Sequence, residues 1–236
     1  MNTVQEYCVI NRNRAMIYYV LSKVYEKEIS KIQILEIKTR NGLFPGLKTS
    51  ETLPKDVQKG LDLIKRYLNN TESLETEMVE IDLAEDYAGI FLGVRGVVPH
   101  PSESAYMTKD HTIFQKQRDE ILQMYQQMGL QKDPSFPEPE DHIALELCFM
   151  ARLANQTVNA LELKNLELLL QMLRYQQSFM DQHLVRWVPK LCQDIYRSAR
   201  TDFYKGVALF TRGFINLDRA MINMFIKSLP HLLRST

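Results

Sequence analysis

Apolar side chains recur along this chain three and four residues apart, the period that gathers them on one face of an α-helix. Ile17, Leu21, Val24 and Tyr25 share such a face, and Ile34, Leu35 and Ile37 repeat it before Gly42, Pro45 and Gly46 interrupt the pattern. Pro54 stands where a first helical turn tolerates a missing N–H, and Val57, Leu61, Ile64 and Leu68 form the stripe behind it. A further helix is expected over about 74–92. Residues 93–103, with Pro99 and Pro101, read as an irregular connection. Helix resumes near Thr112, carries Ile113, Ile121, Tyr125 and Met128, and stops at Gly129. A Pro-rich connector over 131–139 leads into a strongly helical stretch over 141–159. Three more helices follow from Leu161, with breaks expected over 185–189 and near Thr201 and an end before Pro230.

The pattern predicts an all-α fold of about nine or ten helices, with no repeat of fixed period that would make a solenoid. One domain is expected over 1–236, its N-terminal part (about 1–95) joined to its C-terminal part (about 104–236) by the irregular connection. Only 9 glycines in 236 residues and an apolar fraction of 45% support a helical chain that buries an ordinary core.

Charge removes some partners from consideration. Lys plus Arg equals Asp plus Glu at 29 each, so no long-range field draws nucleic acid or an anionic membrane to the protein. No apolar run approaches the ~20 residues that cross a bilayer. Arg12, Arg14 and the apolar run that follows resemble a short signal peptide, but Lys23 comes at once and no small-residue cleavage site appears, so an ordinary first helix is expected. The three cysteines, Cys8, Cys148 and Cys192, are far apart and lack C-x-x-C spacing, which disfavours a disulfide framework or a thiolate zinc site and suits a reducing, cytoplasmic setting.

Familiar catalytic patterns are absent. No His has a Glu three positions before it, as a di-iron bundle would need, and the phosphate loop, dinucleotide fingerprint, H-E-x-x-H and G-x-S-x-G are missing. No catalytic residue, cofactor or metal is expected.

Three clusters could still carry a function. Residues 71–94 hold Glu72, Glu75, Glu77, Glu80, Asp82, Glu85 and Asp86 without a single Lys or Arg. This is either a solvated helix face or a docking face for a cationic peptide, whose arginines carboxylates accept bidentately. Glu138, Glu140 and Asp141 precede a helix start, where acids complement the dipole. His142 shares a face with Glu146 four residues on, an arrangement that suits a structural or a functional role. In the irregular connection Glu103, Ser104 and Tyr106 could line a peptide groove or simply pack a loop.

Together these clusters resemble the TorD/DmsD/NarJ family of chaperones. Residues 86–93, DYAGIFLG, are similar to the family's Y-x-x-L-F-x-G, and residues 101–106, PSESAY, to its P-x-E-S-x-Y. Most specific is 138–150, EPEDHIALELCFM, which matches E-P-x-D-H-x-x-x-E-L-x-F-M. His183, Leu184 and Trp187, then Phe203 and Tyr204, are similar to the H-L-x-x-W and F-Y elements, so the resemblance spans about 74–214. Ser102 replaces an aromatic that many members carry.

The resemblance implies a cytoplasmic, non-enzymatic chaperone whose partner is the twin-arginine leader or N-terminal tail of a molybdopterin oxidoreductase catalytic subunit. It implies Asp141 and His142 as the leader-contacting pair, Glu103, Ser104, Tyr106 and Glu138 as groove neighbours, and Tyr87 and Phe91 beside the leader's apolar part. At a helix start beside a loop, Asp141 and His142 are expected to be replaceable without loss of the fold. The family also admits an assembly factor for a non-exported subunit, a weak nucleotide-hydrolysing protein, and monomers or domain-swapped dimers.

Overall fold

The computed structural model describes residues 4–40, 42–44, 47, 52–96, 98 and 100–232; Pro45, Gly46 and Pro99 lie outside the described residues. Ten α-helical segments follow in order: α1 (Val4–Glu26), α2 (Lys31–Thr39), α3 (Lys55–Asn70), α4 (Thr76–Phe91), α5 (Glu103–Met107), α6 (Lys116–Gln127), α7 (Ile143–Glu162), α8 (Leu166–Phe179), α9 (Val185–Ser198) and α10 (Asp202–Leu232). A π turn, Met180–Leu184, joins α8 to α9 in one rod, leaving nine rods among the described residues.

Two helix pairs organise the core. α1 lies along α7, and Ala144, Ala151 and Ala154 of α7 and Tyr18, Leu21 and Tyr25 of α1 are all buried. α3 crosses α10 backbone to backbone: a Cβ on Gly60 would stand 2.6 Å from Phe210 N, and one on Gly206 would stand 2.7 Å from Gly60 O. Glycine is therefore required on both sides of this crossing. Each pair joins an N-terminal helix to a C-terminal one, so a single apolar cluster runs from Ile17 to Ile222. A smaller cluster around Cys8, Val158, Leu173 and Phe225 closes one end.

A buried ion pair fastens α1 to α10. The Arg14 guanidinium donates to Asp218 Oδ2 at 2.9 Å, to Asn11 Oδ1 and to Gln176 Oε1, while Tyr18 donates to Asp218 at 2.7 Å. Each charge and most polar atoms of the group find partners, the condition under which burial of a pair is tolerable.

Several sequence expectations need correction. No break occurs at 185–189, which is α-helical within a continuous rod; the irregularity is the π turn just before it, Met180–Leu184. Pro189 lacks an N–H and its ring crowds the carbonyl four residues earlier, which the widened turn just upstream relieves. α10 continues to Leu232, past Pro230. The short α5 occupies part of the segment expected to be irregular, and α6 starts four residues later than Thr112. The stop at Gly129 holds: its φ of 66° lets Leu130 N–H reach Tyr125 O at 2.8 Å.

Candidate functional site

The chain brings its separated motifs together by backbone pairing. Ile143 N–H donates to Pro101 O and Glu103 N–H to Asp141 O, each at 2.9 Å, around an antiparallel bridge between Ser102 and His142. Asp141 Oδ2 then accepts from Ser104 N–H at 2.8 Å and so caps the start of α5. His142 performs the same service for α7, its Nδ1 accepting from Ala144 N–H at 3.2 Å. A ring nitrogen used as an acceptor cannot carry a proton. Burial, with His100 nearby, pushes the His142 pKa down to about 3, so the ring is neutral across the physiological range.

Below this pairing the motif side chains meet in a closed network. Glu103 Oε2 lies 2.7 Å from His183 Nδ1, and Glu146 Oε2 accepts from Trp187 Nε1–H at 3.2 Å. The Trp187 ring packs against Tyr106 with centroids 5.5 Å apart. Burial, then the neighbouring Glu103 and Asp141 carboxylates, pushes Glu146 well above the usual carboxylate range, which favours its protonated form. Burial also raises Glu103, against the opposing pull of His183. One oxygen each of Glu103, Asp141 and Glu146 has no hydrogen-bond partner among the described residues.

This geometry corrects the expected placement of five residues. Glu103, Ser104 and Asp141 are fully buried and His142 and Tyr106 are 3% and 7% exposed, so in this conformation none presents a surface to a peptide. Their polar groups are consumed inward by capping and cross-segment pairing, which no spacing rule displays. The clefts of about 650 and 570 Å³ lie between α6 and α8 and between α1 and α2, and neither is lined by these residues.

Glu138, Tyr87 and Phe91 are placed differently. Glu138 is half-buried at the surface, its Oε2 2.7 Å from His100 Nε2 and its carbonyl accepting from Lys132. Tyr87 packs on Phe91 at 4.7 Å and donates its hydroxyl to Tyr25 O at 3.3 Å, while Phe91 stays half-exposed. The Tyr87 phenol is pushed up by burial and then by the carboxylates of Glu138, Glu28 and Glu26. Leu92 and Val94, which follow the end of α4, are exposed.

That end of α4 is held rigidly. The buried Asp86 accepts from Arg95, from Thr201 Oγ1 at 2.6 Å and from the N–H groups of Arg200 and Thr201 at 2.8 Å. Burial alone would raise its pKa, but these bonds outweigh it and leave the carboxyl below its ordinary value. The rest of the acidic segment is partly neutralised: Glu77 pairs with Lys31, and Asp82 with Arg200 at 2.6 Å. His100 is the neighbour that sequence reasoning missed; a histidine between two prolines in a connection was its only signal.

Among the described residues no three His, Cys, Asp or Glu side chains are grouped to hold a metal, and no helix is long and apolar enough to cross a membrane. A sequence profile for the nitrate reductase delta subunit matches residues 50–193. The chain is also similar to the chaperone protein TorD of several Vibrio species and of Photobacterium profundum. Identity is 26% over 224 residues for Vibrio parahaemolyticus, covering 93% of this chain and 99% of that protein. It is 25% over 219 residues for Photobacterium profundum, covering 93% and 98%. It is 29% over 217 residues for Vibrio atlanticus, covering 88% and 94%. With its motif network assembled and more than half its length matched, the chain belongs to the nitrate reductase delta subunit family, the TorD/NarJ chaperones of redox enzyme maturation, and is a chaperone rather than an enzyme.

Proposed function

We propose that the chain is a cytoplasmic chaperone that binds the twin-arginine leader of a molybdopterin oxidoreductase catalytic subunit and holds it until the cofactor is loaded. The observation that supports this most is the end of α4, where half-exposed Phe91 packs on Tyr87 and leads into the exposed Leu92 and Val94, with the carboxylates of Glu138, Glu28 and Glu26 acting on the Tyr87 phenol. An apolar surface edged by acids suits a guest that carries arginines next to an apolar run. In this reading Glu138, Tyr87 and Phe91 are contact residues. Asp141, His142, Glu103, Ser104 and Tyr106 are positioning residues that hold the 100–104 segment and Glu138 in place.

Magnitudes assign the work. Burying about four Leu-sized side chains of the leader gives roughly 6 to 12 kcal/mol gross. Ordering the peptide consumes several of these, so micromolar affinity, about −8 kcal/mol, is the outcome. Exposed ion pairs add only ~0 to 1 kcal/mol each, so charge selects the guest more than it holds it. The matching delta-subunit profile favours one further reading, an assembly factor for the N-terminal tail of a non-exported subunit. Isothermal titration with synthetic leaders bearing Arg-Arg, Lys-Lys or Ala-Ala ahead of the same apolar segment separates the two. Preference for Arg-Arg supports leader capture, equal binding of all three favours the tail, and no binding of any overturns both.

A further inference from the structure

The Arg95 guanidinium lies over the backbone of α4. A Cβ on Gly89 would stand 2.5 Å from both Cζ and Nε of Arg95, so a side chain at that position would displace it. From there Nη1 donates to Asp86 Oδ1 and to Ser198 O, each at 2.9 Å. Ser198 is the last residue of α9, a helix end that carries partial negative charge and carbonyls without a helical partner. A buried carboxylate, an end-of-helix carbonyl and a bare stretch of backbone make a seat suited to a planar cation.

The seat does not depend on Arg95 for its shape. Asp86 is closed to solvent and is held independently by Arg200 N–H, Thr201 N–H and Thr201 Oγ1. Arg95, by contrast, belongs to a turn, residues 93–96, that is exposed throughout and bends at Gly93 and Gly96, with φ of 71° and 66°. Gly96 N–H bonds back to Gly93 O at 3.0 Å, and no side chain of the turn is buried. The carboxylate is therefore fixed, and the guanidinium is carried by the part that loses least on moving. That turn follows the half-exposed Phe91 and the exposed Leu92 and includes the exposed Val94, so an apolar surface adjoins the seat in the chain.

We infer that Arg95 is the resident occupant of an arginine-binding site built from Asp86, Gly89 and the Ser198 carbonyl, and that an arginine of the leader displaces it. The inference rests on the leader reading above and adds where one guest arginine binds and what guards the place. A guanidinium tethered by a short turn competes at an effective concentration on the order of millimolar. Isolated cations are thus turned away, and a guest that also buries apolar groups on Phe91, Leu92 and Val94 gains entry. In the exchange one guanidinium leaves Asp86 as another arrives, so the buried carboxylate is never left without a countercharge.

The test is fluorescence anisotropy with labelled peptides carrying Arg-Arg or Lys-Lys ahead of one apolar segment. Arg95→Ala vacates the seat, and its gain in affinity over wild type should be at least about fivefold larger for Arg-Arg than for Lys-Lys, as charge-assisted hydrogen bonds to a buried acceptor permit. Adding Gly89→Ala fills the space with a methyl whose three nearest atoms all belong to Arg95, so the double variant should fold and lose that gain. Arg197→Ala removes an exposed cation from the last turn of α9 and should leave the Arg-Arg preference within about twofold of wild type. Arg95→Gln repeats the comparison if the alanine variant does not fold. Thermal midpoints with millimolar methylguanidinium or methylammonium read the seat without a peptide: methylguanidinium should raise the midpoint of Arg95→Ala and leave wild type unmoved. Equal strengthening of both peptides, or a gain that survives Gly89→Ala, overturns the seat while leaving leader capture standing. If no protein binds either peptide, leader capture falls, and the methylguanidinium shift alone upholds or overturns the seat.

Discussion

Glu103 and His183, eighty residues apart in sequence, meet at 2.7 Å with both side chains closed to solvent. Each is the other's hydrogen-bond partner in a buried region that also holds the Asp141 and Glu146 carboxylates. Glu103→Ala leaves the histidine buried without its acceptor, and loss of one member of such a pair costs about 3 to 5 kcal/mol. Urea denaturation should show that loss, and a change under about 1 kcal/mol would mean the contact contributes little.

His142 makes stability depend on acid. Its folded pKa is about 3 against an unfolded value near 6.5, so the unfolded chain takes up the proton first. The stability it contributes is complete above about pH 6.5 and is lost as pH falls towards 3, at up to about 1.4 kcal/mol per pH unit. His142→Asn supplies a capping acceptor that does not titrate. Melting curves from pH 7 to 4 should be flatter for the variant, and equal slopes would contradict the capping role of Nδ1.

Glu146 acts in the opposite sense. Its folded pKa is raised, so the folded state keeps a proton that the unfolded chain releases above about pH 4.3, and stability falls as pH rises from there. Glu146→Gln gives Trp187 a neutral acceptor of the same shape. The variant should equal or exceed wild type in urea midpoint at pH 8 and lose the decline that sets in above about pH 4.3. A less stable variant at pH 8 would show that the carboxylate is ionised in the fold.

The α3–α10 crossing should be intolerant of a single methyl. Gly206→Ala gains about 1 kcal/mol in helix propensity, yet its Cβ would stand 2.7 Å from Gly60 O and 2.9 Å from Ile64 N, backbone atoms that cannot turn aside. Overpacking of this kind costs about 1 to 3 kcal/mol, so the clash wins and the thermal midpoint falls. An unchanged midpoint would mean the helices separate freely.

At the mouth of the proposed leader site, Glu138→Gln should weaken an Arg-Arg leader by no more than about fivefold, since half-exposed ion pairs contribute ~0 to 1 kcal/mol. The distinguishing readout is selectivity: the preference for Arg-Arg over Lys-Lys should shrink. A variant that keeps the full preference would remove Glu138 from the arginine contact.

The helices with long apolar stripes were readable in advance, because burial of one face imposes the 3.6-residue period over α1, α3, α4 and α7. So was the company of Glu103, Asp141 and His142, through the motif resemblance. Their burial was not. Asp141 satisfies Ser104 N–H across 37 residues, and Glu103 meets His183 across 80, and neither partnership leaves a mark on local spacing. For the same reason the expectation that Asp141 and His142 could be removed without harm to the fold gives way: each caps a helix from inside. The five-residue α5 was invisible because it is too short to show a period. The π turn was read as a break because proline signals an interruption without saying how the chain negotiates it.

That turn has a mechanical meaning. An α-helix repeats its outlook every 3.6 residues, and one widened loop resets the phase, so a single rod can address two different neighbours. Before it, Gln176 reaches the Arg14 and Asp218 lock; within it His183 reaches Glu103, and after it Trp187 reaches Glu146. The rod is thus a strut bolted into two buried polar locks of the molecule, one at each end of the widened turn.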